Sequence, residues 1–207
     1  EQLGIPTYLS RSACATSQDT GDGYGSRAQL WSMDLLYQEI GELSQIFDVA
    51  DRGEALIADF KAREAALRET FQDDPDLTFL FWFSSPSPAD DAYLGGGNGP
   101  SGYIADLLGG SNAIKTEAEW PTLGWEGIIA ARPAVIVVAE LDRNRWELDK
   151  AENKIAFLTS DPSVSQMDAV REGRILTMNG AAMNPSIRTI YGAEELARQL
   201  EALKTPQ

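Results

Sequence analysis

The chain has 207 residues, 43% of them hydrophobic, with 32 acidic and 17 basic side chains giving a net charge of −15. That length suffices for one large domain or two small ones, and the acidic balance argues against nucleic acid or an anionic membrane surface as the main partner. There is no His and one Cys, Cys14, which rules out a Ser-His-Asp triad, a histidine-bearing zinc site, a Cys-His pair and an internal disulfide within the chain.

The sequence opens EQLGIPTYLS, without an initiator Met, a basic segment or a signal-peptide core. Gln2 to Gly4 reads as a helix end and Ile5 to Leu9 as a buried strand. A domain rarely starts there, so further residues are expected upstream. Positions 10 to 29 are polar and Gly-rich and read as one long loop. Runs of more than about 15 such residues are usually functional or disordered. Met33 to Phe47 is predicted as a helix, because Leu36, Ile40, Leu43 and Phe47 recur at helical spacing, with Ser32 as a possible N-cap. A second helix starts at Asp51, DRGEALIADFKAREAALRETF, with Leu56, Phe60, Leu67 and Phe71 along one side. At about 20 residues it is roughly 30 Å long. It reads either as a connector between lobes or as an ordinary surface helix.

QDDPD at 72 to 76 stops that helix, and LTFLFWF, Leu77 to Phe83, is apolar enough for a central strand. The Gly-rich SSPSPADDAYLGGGNGPSG follows. Tyr103 to Leu108 is predicted as a helix closed by Gly109 and Gly110. Trp125 to Ala131 is the next helix, Ala134 to Ala139 and Arg174 to Met178 are strands, and Glu194 to Leu203 is the terminal helix. No run of about 20 apolar residues marks a membrane span. Strands alternating with helices after position 77 predict an α/β layer around a mostly parallel sheet. The part before the long helix reads as the end of another such layer.

Candidate ligand residues follow from position. Trp82 lies at the C-terminal end of its strand, where ligands bind in open α/β sheets. Trp120 lies in a Pro-flanked loop and could stack on a flat ligand; core packing is the alternative for both. Arg188, in NPSIRTIYG before the last helix, could pair with an anionic ligand group or with the acidic surface. Tyr24 and Tyr93 could rim a cleft. Trp31, Trp125 and Trp146 are assigned to packing. GGGNGPSGY at 95 to 103 could cradle an anion ahead of a helix, but matches neither the phosphate-loop nor the dinucleotide pattern. Asp90 and Asp91, or Asp73 and Asp74, would bind a hard cation only if more oxygens converged. No acid–base constellation is visible, which argues against an enzyme.

GELSQIFDV before a long helix, LLGGSNAI, WPTLGWEGIIAARPAVIVV, DAVREGRILTM and PSIRTIYGAEELA occur in this order. In that order the chain resembles the substrate-binding proteins of bacterial ABC importers for iron-siderophores and cobalamin, and looks like the last two-thirds of one. KIAFLTSDPSVSQMDAV is closer to the iron-complex importers than to the cobalamin protein.

The resemblance implies two Rossmann-like α/β lobes joined by a long rigid helix, with the first lobe incomplete here. Residues 1–50 would be the C-terminal part of the N-terminal lobe, 51–72 the connector, and 73–207 the C-terminal lobe. It implies no catalytic cofactor and a ligand held between the lobes: a ferric siderophore or related metal chelate, or alternatively cobalamin, haem or another large cofactor. The lack of His argues against histidine-ligated haem. Trp82, Trp120 and Arg188 match ligand-facing positions of the family. Glu126 matches the surface glutamate that engages arginines of the importer's transmembrane subunits; its counterpart lies in the first part of the N-terminal lobe, outside this sequence. The protein is expected in the periplasm, or lipid-anchored on the extracellular face, and monomeric at full length, whereas a fragment with an exposed half-lobe would self-associate. An enzyme with a Rossmann-like sheet and an adhesion module are the rival readings.

Overall fold

The computed structural model describes residues 4–14, 17–18, 26–27, 30–143 and 145–204. The helices are α1 (Arg11–Cys14), α2 (Met33–Ile46), α3 (Ala50–Thr70), α4 (Pro100–Leu107), α5 (Trp125–Ala131), α6 (Ala151–Ser160), α7 (Asp168–Arg171) and α8 (Arg188–Lys204). The strands are β1 (Ser17–Gln18), β2 (Ser26–Arg27), β3 (Thr78–Ser84), β4 (Ala92–Gly95), β5 (Ser111–Asn112), β6 (Thr122–Leu123), β7 (Val135–Glu140) and β8 (Ile175–Asn179).

The main sheet has six strands in the order β6-β4-β3-β7-β8, with β5 on the early part of β3. β5, β7 and β8 run parallel to one another through β3 and β7, while β4 is antiparallel to β3. Phe79 pairs with Val135 and Trp82 with Val138, and Val138 in turn with Thr177. The period-two alternation of a strand sends Phe79 and Phe81 to one face and Leu80 and Trp82 to the other. The first face is covered by Phe60 and Leu67 of α3, Ile104 and Leu107 of α4, and Ile190, Leu196 and Leu200 of α8. The second face is covered by Ile128 of α5, Leu158 of α6 and Ala169 and Val170 of α7. The central residues of both strands, Phe79–Phe83 and Val135–Ala139, are therefore apolar, as strands buried on both faces require.

α3 is 21 residues long and buries Gly53, Phe60 and Leu67, a narrow stripe at seven-residue spacing. Gly53 lets α2 approach closely: a Cβ there would meet Ser44 Oγ at 2.4 Å. α2 and α3 join the same apolar cluster as the first sheet face. Near the tight turn between them, Ile46, Phe47, Val49 and Leu56 are exposed.

Several sequence expectations need correction. Residues 4–10 form no strand, and Ile5 and Leu9 are exposed, because no described strand lies beside them to pair their backbone. Within the span read as one loop, 10–29, lie α1 and the antiparallel pair β1 and β2. The Gly-rich segment contains β4. The last helix starts at Arg188, not Glu194. Ser32 stands at the N-cap of α2 but makes no side-chain cap hydrogen bond. Among the described residues no helix is long and apolar enough to cross a membrane.

Candidate functional site

β3, β7 and β8 end on the same edge of the sheet, and β4 begins there, with Tyr93 opposite Ser84. Such strand ends are where open α/β sheets take their ligands. Three segments build this edge: the end of β3 with the start of β4, the segment after β7, and the turn after β8.

The segment after β7 is organised around Asp149, whose side chain is fully buried. Ser84 Oγ donates to Asp149 Oδ1 at 2.6 Å. The backbone N–H groups of Arg145 and Trp146 both donate to Oδ2 at 3.1 Å. Arg143 Nε lies 3.2 Å from both oxygens. Burial opposes the charge on Asp149, but the hydrogen bonds from Ser84 and Trp146 and the Arg143 guanidinium outweigh it and hold the pKa below the usual aspartate value. Behind it Lys154, also fully buried, donates to Ala139 O at 2.7 Å and to Asp149 O at 3.3 Å. Burial pushes its ammonium down to about 8, against the pull of Asp149 and Glu140.

This scaffold presents a row of rings and cations. The Phe83 and Trp120 rings meet edge-on at 5.0 Å. The Arg143 guanidinium lies 5.4 Å from the Phe83 ring and 5.2 Å from that of Trp146. Tyr93 stacks on Trp146 at 5.8 Å, with planes 20° apart. Arg145 lies 4.5 Å from the Trp146 ring. Tyr93 and Arg145 are exposed, and Phe83, Trp120, Arg143 and Trp146 are half-buried. Beside Tyr93 a hollow of about 430 Å³ is lined by Pro86, Asp90, Asp91 and Thr122. The row can stack on a flat apolar body and donate to anionic groups at its rim.

Of the residues singled out from sequence, Trp120 and Tyr93 stand in this row. Trp82 does not. It is fully buried on the second sheet face, 4.8 Å from Trp125 and 5.8 Å from Phe157, with its indole N–H donated to Ser85 Oγ and Ser84 O. Strand alternation puts it on the second sheet face, opposite Phe83, which packs against the first. Trp82, Trp120 and Arg188 therefore do not form one constellation. Arg188 is exposed at the first turn of α8. Among the described residues its guanidinium makes no hydrogen bond or ion pair, and no contact joins it to the ring row. Tyr24 lies outside the described residues. Trp31 and Trp125 pack as expected.

From sequence, Trp146 is assigned to packing and none of Arg143, Arg145 and Phe83 is singled out, and the structure places all four in the row. DRNRW directly after a buried strand was the available signal, and the parity of β3 would have chosen Phe83 over Trp82. Gly96 and Gly102 serve packing: a Cβ on Gly102 would meet Gly97 O at 2.0 Å, and one on Gly96 would meet Ala118 O at 2.1 Å. The buried carboxyl side chain of Glu119 lies against Gly99 at the start of α4, which disfavours an outside anion there. No cluster of three or more His, Cys, Asp or Glu suited to a metal ion occurs among the described residues.

A family model described as periplasmic binding protein matches residues 1–182. The chain belongs to the periplasmic binding protein family. Proteins of this family bind and deliver rather than catalyse, and membership places this one in the periplasm or at the extracellular face. No curated protein matches it. Among solved structures, this periplasmic binding protein is similar to the ABC-type Fe3+-hydroxamate transport system of Saccharomonospora viridis DSM 43017, with a TM-score of 0.74, 17% identity, and coverage of 96% of this chain and 63% of that one. It is similar to a periplasmic binding protein from Veillonella parvula dsm 2008, with a TM-score of 0.72, 21% identity and coverage of 84% and 59%. It is also similar to the periplasmic heme-binding protein RhuT from Roseiflexus sp. RS-1, with a TM-score of 0.65, 25% identity and coverage of 84% and 65%. The chain thus spans 59% to 65% of the length of these proteins. The likeness shows the mixed α/β fold of two-lobed binding proteins.

Proposed function

We propose that this chain belongs to the solute-binding component of an ABC importer and helps to capture a metal–organic chelate. In this reading α3 is the interlobe connector, residues 1–50 belong to the N-terminal lobe, 73–207 form the C-terminal lobe, and the strand-end row is the C-terminal wall of the cleft. The observation that carries it is the run Tyr93, Trp146, Arg143, Phe83 and Trp120, four aromatic rings around one guanidinium, at the strand ends of a periplasmic binding protein. Rings supply apolar area worth about 25 cal/mol per Å² buried, and guanidinium groups select negative charge in an otherwise acidic molecule.

Within this reading a planar haem-type chelate is favoured over a ferric siderophore, because ring faces suit a flat body and the chain is similar to RhuT. The chain has no His, so the row would hold the organic body rather than supply an imidazole to iron. Arg188 is a second candidate for an anionic group farther along the edge.

Glu126 would dock the transmembrane subunits. It is exposed in the first turn of α5, which packs on the second sheet face while α3 packs on the first. An exposed carboxylate gains a charge-assisted hydrogen bond on meeting Arg. The apolar face near Phe47 and Leu56 would be the contact for self-association of the chain in isolation.

Equilibrium titration of the purified protein with haemin and with a ferric hydroxamate, followed by tryptophan fluorescence, tests this. Saturable one-to-one quenching by either chelate is expected. Absence of saturable binding of both would contradict the proposal.

A further inference from the structure

Arg143 does not stand over the rings by its own preference. An arginine side chain on a surface segment has several rotatable bonds and loses rotamer entropy when fixed. Here the fixing is done from inside. Asp149 is wholly buried, whereas Arg143 keeps 41% of its side-chain surface. Both hydrogen bonds of Arg143 run through Nε. Among the described residues its two terminal amino groups make none, which leaves the outer edge of the guanidinium plane for a partner.

The carboxylate that holds Nε is itself fixed by three further donors: Ser84 Oγ at the end of β3 and the N–H groups of Arg145 and Trp146. The Lys154 ammonium takes the main-chain oxygen of Asp149 and that of Ala139 at the end of β7. One buried group thus ties two strand ends to the cation and to the tryptophan of the row.

We propose that Asp149 is a positioning residue that sets Arg143 between Phe83 and Trp146, and that through it the site selects chelates bearing a carboxylate at their edge. This rests on the reading of the ring row as a ligand wall. Lysine at position 143 would keep the charge but could not bond Asp149 and offer a planar donor edge at once.

The test compares haemin with its dimethyl ester, which keeps the ring and iron and removes the two carboxylates. Wild-type protein is expected to prefer the diacid by about tenfold, the scale of one charge-assisted hydrogen bond. Arg143→Lys and Asp149→Asn should both bring the ratio close to one, chiefly by weakening binding of the diacid. Should Asp149→Asn not fold, Ser84→Ala, which removes one donor to Asp149, should still lower the ratio, and Arg143→Lys alone tests the guanidinium geometry. If wild type binds both compounds equally, or the variants keep its preference, the positioning role is wrong while the ligand wall stands. If wild type binds neither compound, the wall itself falls, and the inference with it.

Discussion

Arg63 of α3 and Glu194 of α8 form a two-pronged ion pair, Nε to Oε1 at 2.7 Å and Nη2 to Oε2 at 2.6 Å, with the guanidinium 4.2 Å from the Tyr191 ring. Parallel bonds of this kind are the strong class of ion pair, and both side chains are largely covered. On the next residue, Glu64 accepts the phenol protons of Tyr37 and Tyr103. The long helix is therefore pinned to α8, α2 and α4 by adjacent residues, although its own apolar stripe is narrow. Arg63→Ala should lower unfolding stability by about 2 kcal/mol, read from urea denaturation, and Glu194→Gln by less. A loss within error would mean that the pair is solvated.

Trp82 and Trp120 should separate cleanly. Trp82→Ala opens a cavity in the second core and should cost about 3 kcal/mol or more. Trp82→Phe should leave chelate affinity unchanged. Trp120→Ala, at a half-buried site, should cost less stability and weaken chelate binding by about tenfold. Isothermal titration beside thermal melts reads both effects.

Glu126→Lys reverses a charge on an exposed helix turn. It should shift stability by no more than about 0.5 kcal/mol and leave chelate affinity intact. Uptake in a strain dependent on this importer should fall at least tenfold if the glutamate meets arginine on the membrane subunits. Unchanged uptake would remove Glu126 from the docking surface.

Lys154 gives a pH signature. Its folded-state pKa of about 8 lies below the ordinary 10.5, so the unfolded chain holds its proton more tightly. The native state thus gains stability as pH rises through about 8 towards 10, by at most ~1.4 kcal/mol per unit, and this gain fades more than about one unit below 8. Lys154→Met should lack it, so the stability difference between wild type and variant should move in favour of wild type from pH 7.5 to 9.5. Burial and its bond to Glu42 push Tyr8 up to about 12, so that phenol stays protonated across the window. A constant difference would show that Lys154 titrates as if exposed.

The sheet was legible because its strands are short apolar runs between helical segments: LTFLFWF and AVIVVAE could only be buried on both faces. The long helix was legible from its uninterrupted length. What a side chain faces was less so. Trp82 and Phe83 are neighbours at the same strand end, and one residue of phase decides which belongs to the core. β4 was hidden because Ala92 to Gly95 is four residues long and flanked by Pro, Asp and Gly. Ile5 to Leu9 carries a strand pattern that cannot be realised without a neighbour. Arg143 and Trp146 carry no periodic signal; only the buried Asp149, reached through the tertiary fold, shows why they stand together.

The most direct measurement is the iron anomalous difference map of the protein crystallised with haemin. The expected result is one iron peak within stacking distance of the row formed by Phe83, Trp120 and Trp146. A peak elsewhere, such as the hollow of about 420 Å³ between Arg132, Met167 and Arg174 at the opposite strand ends, would contradict the assignment of the site.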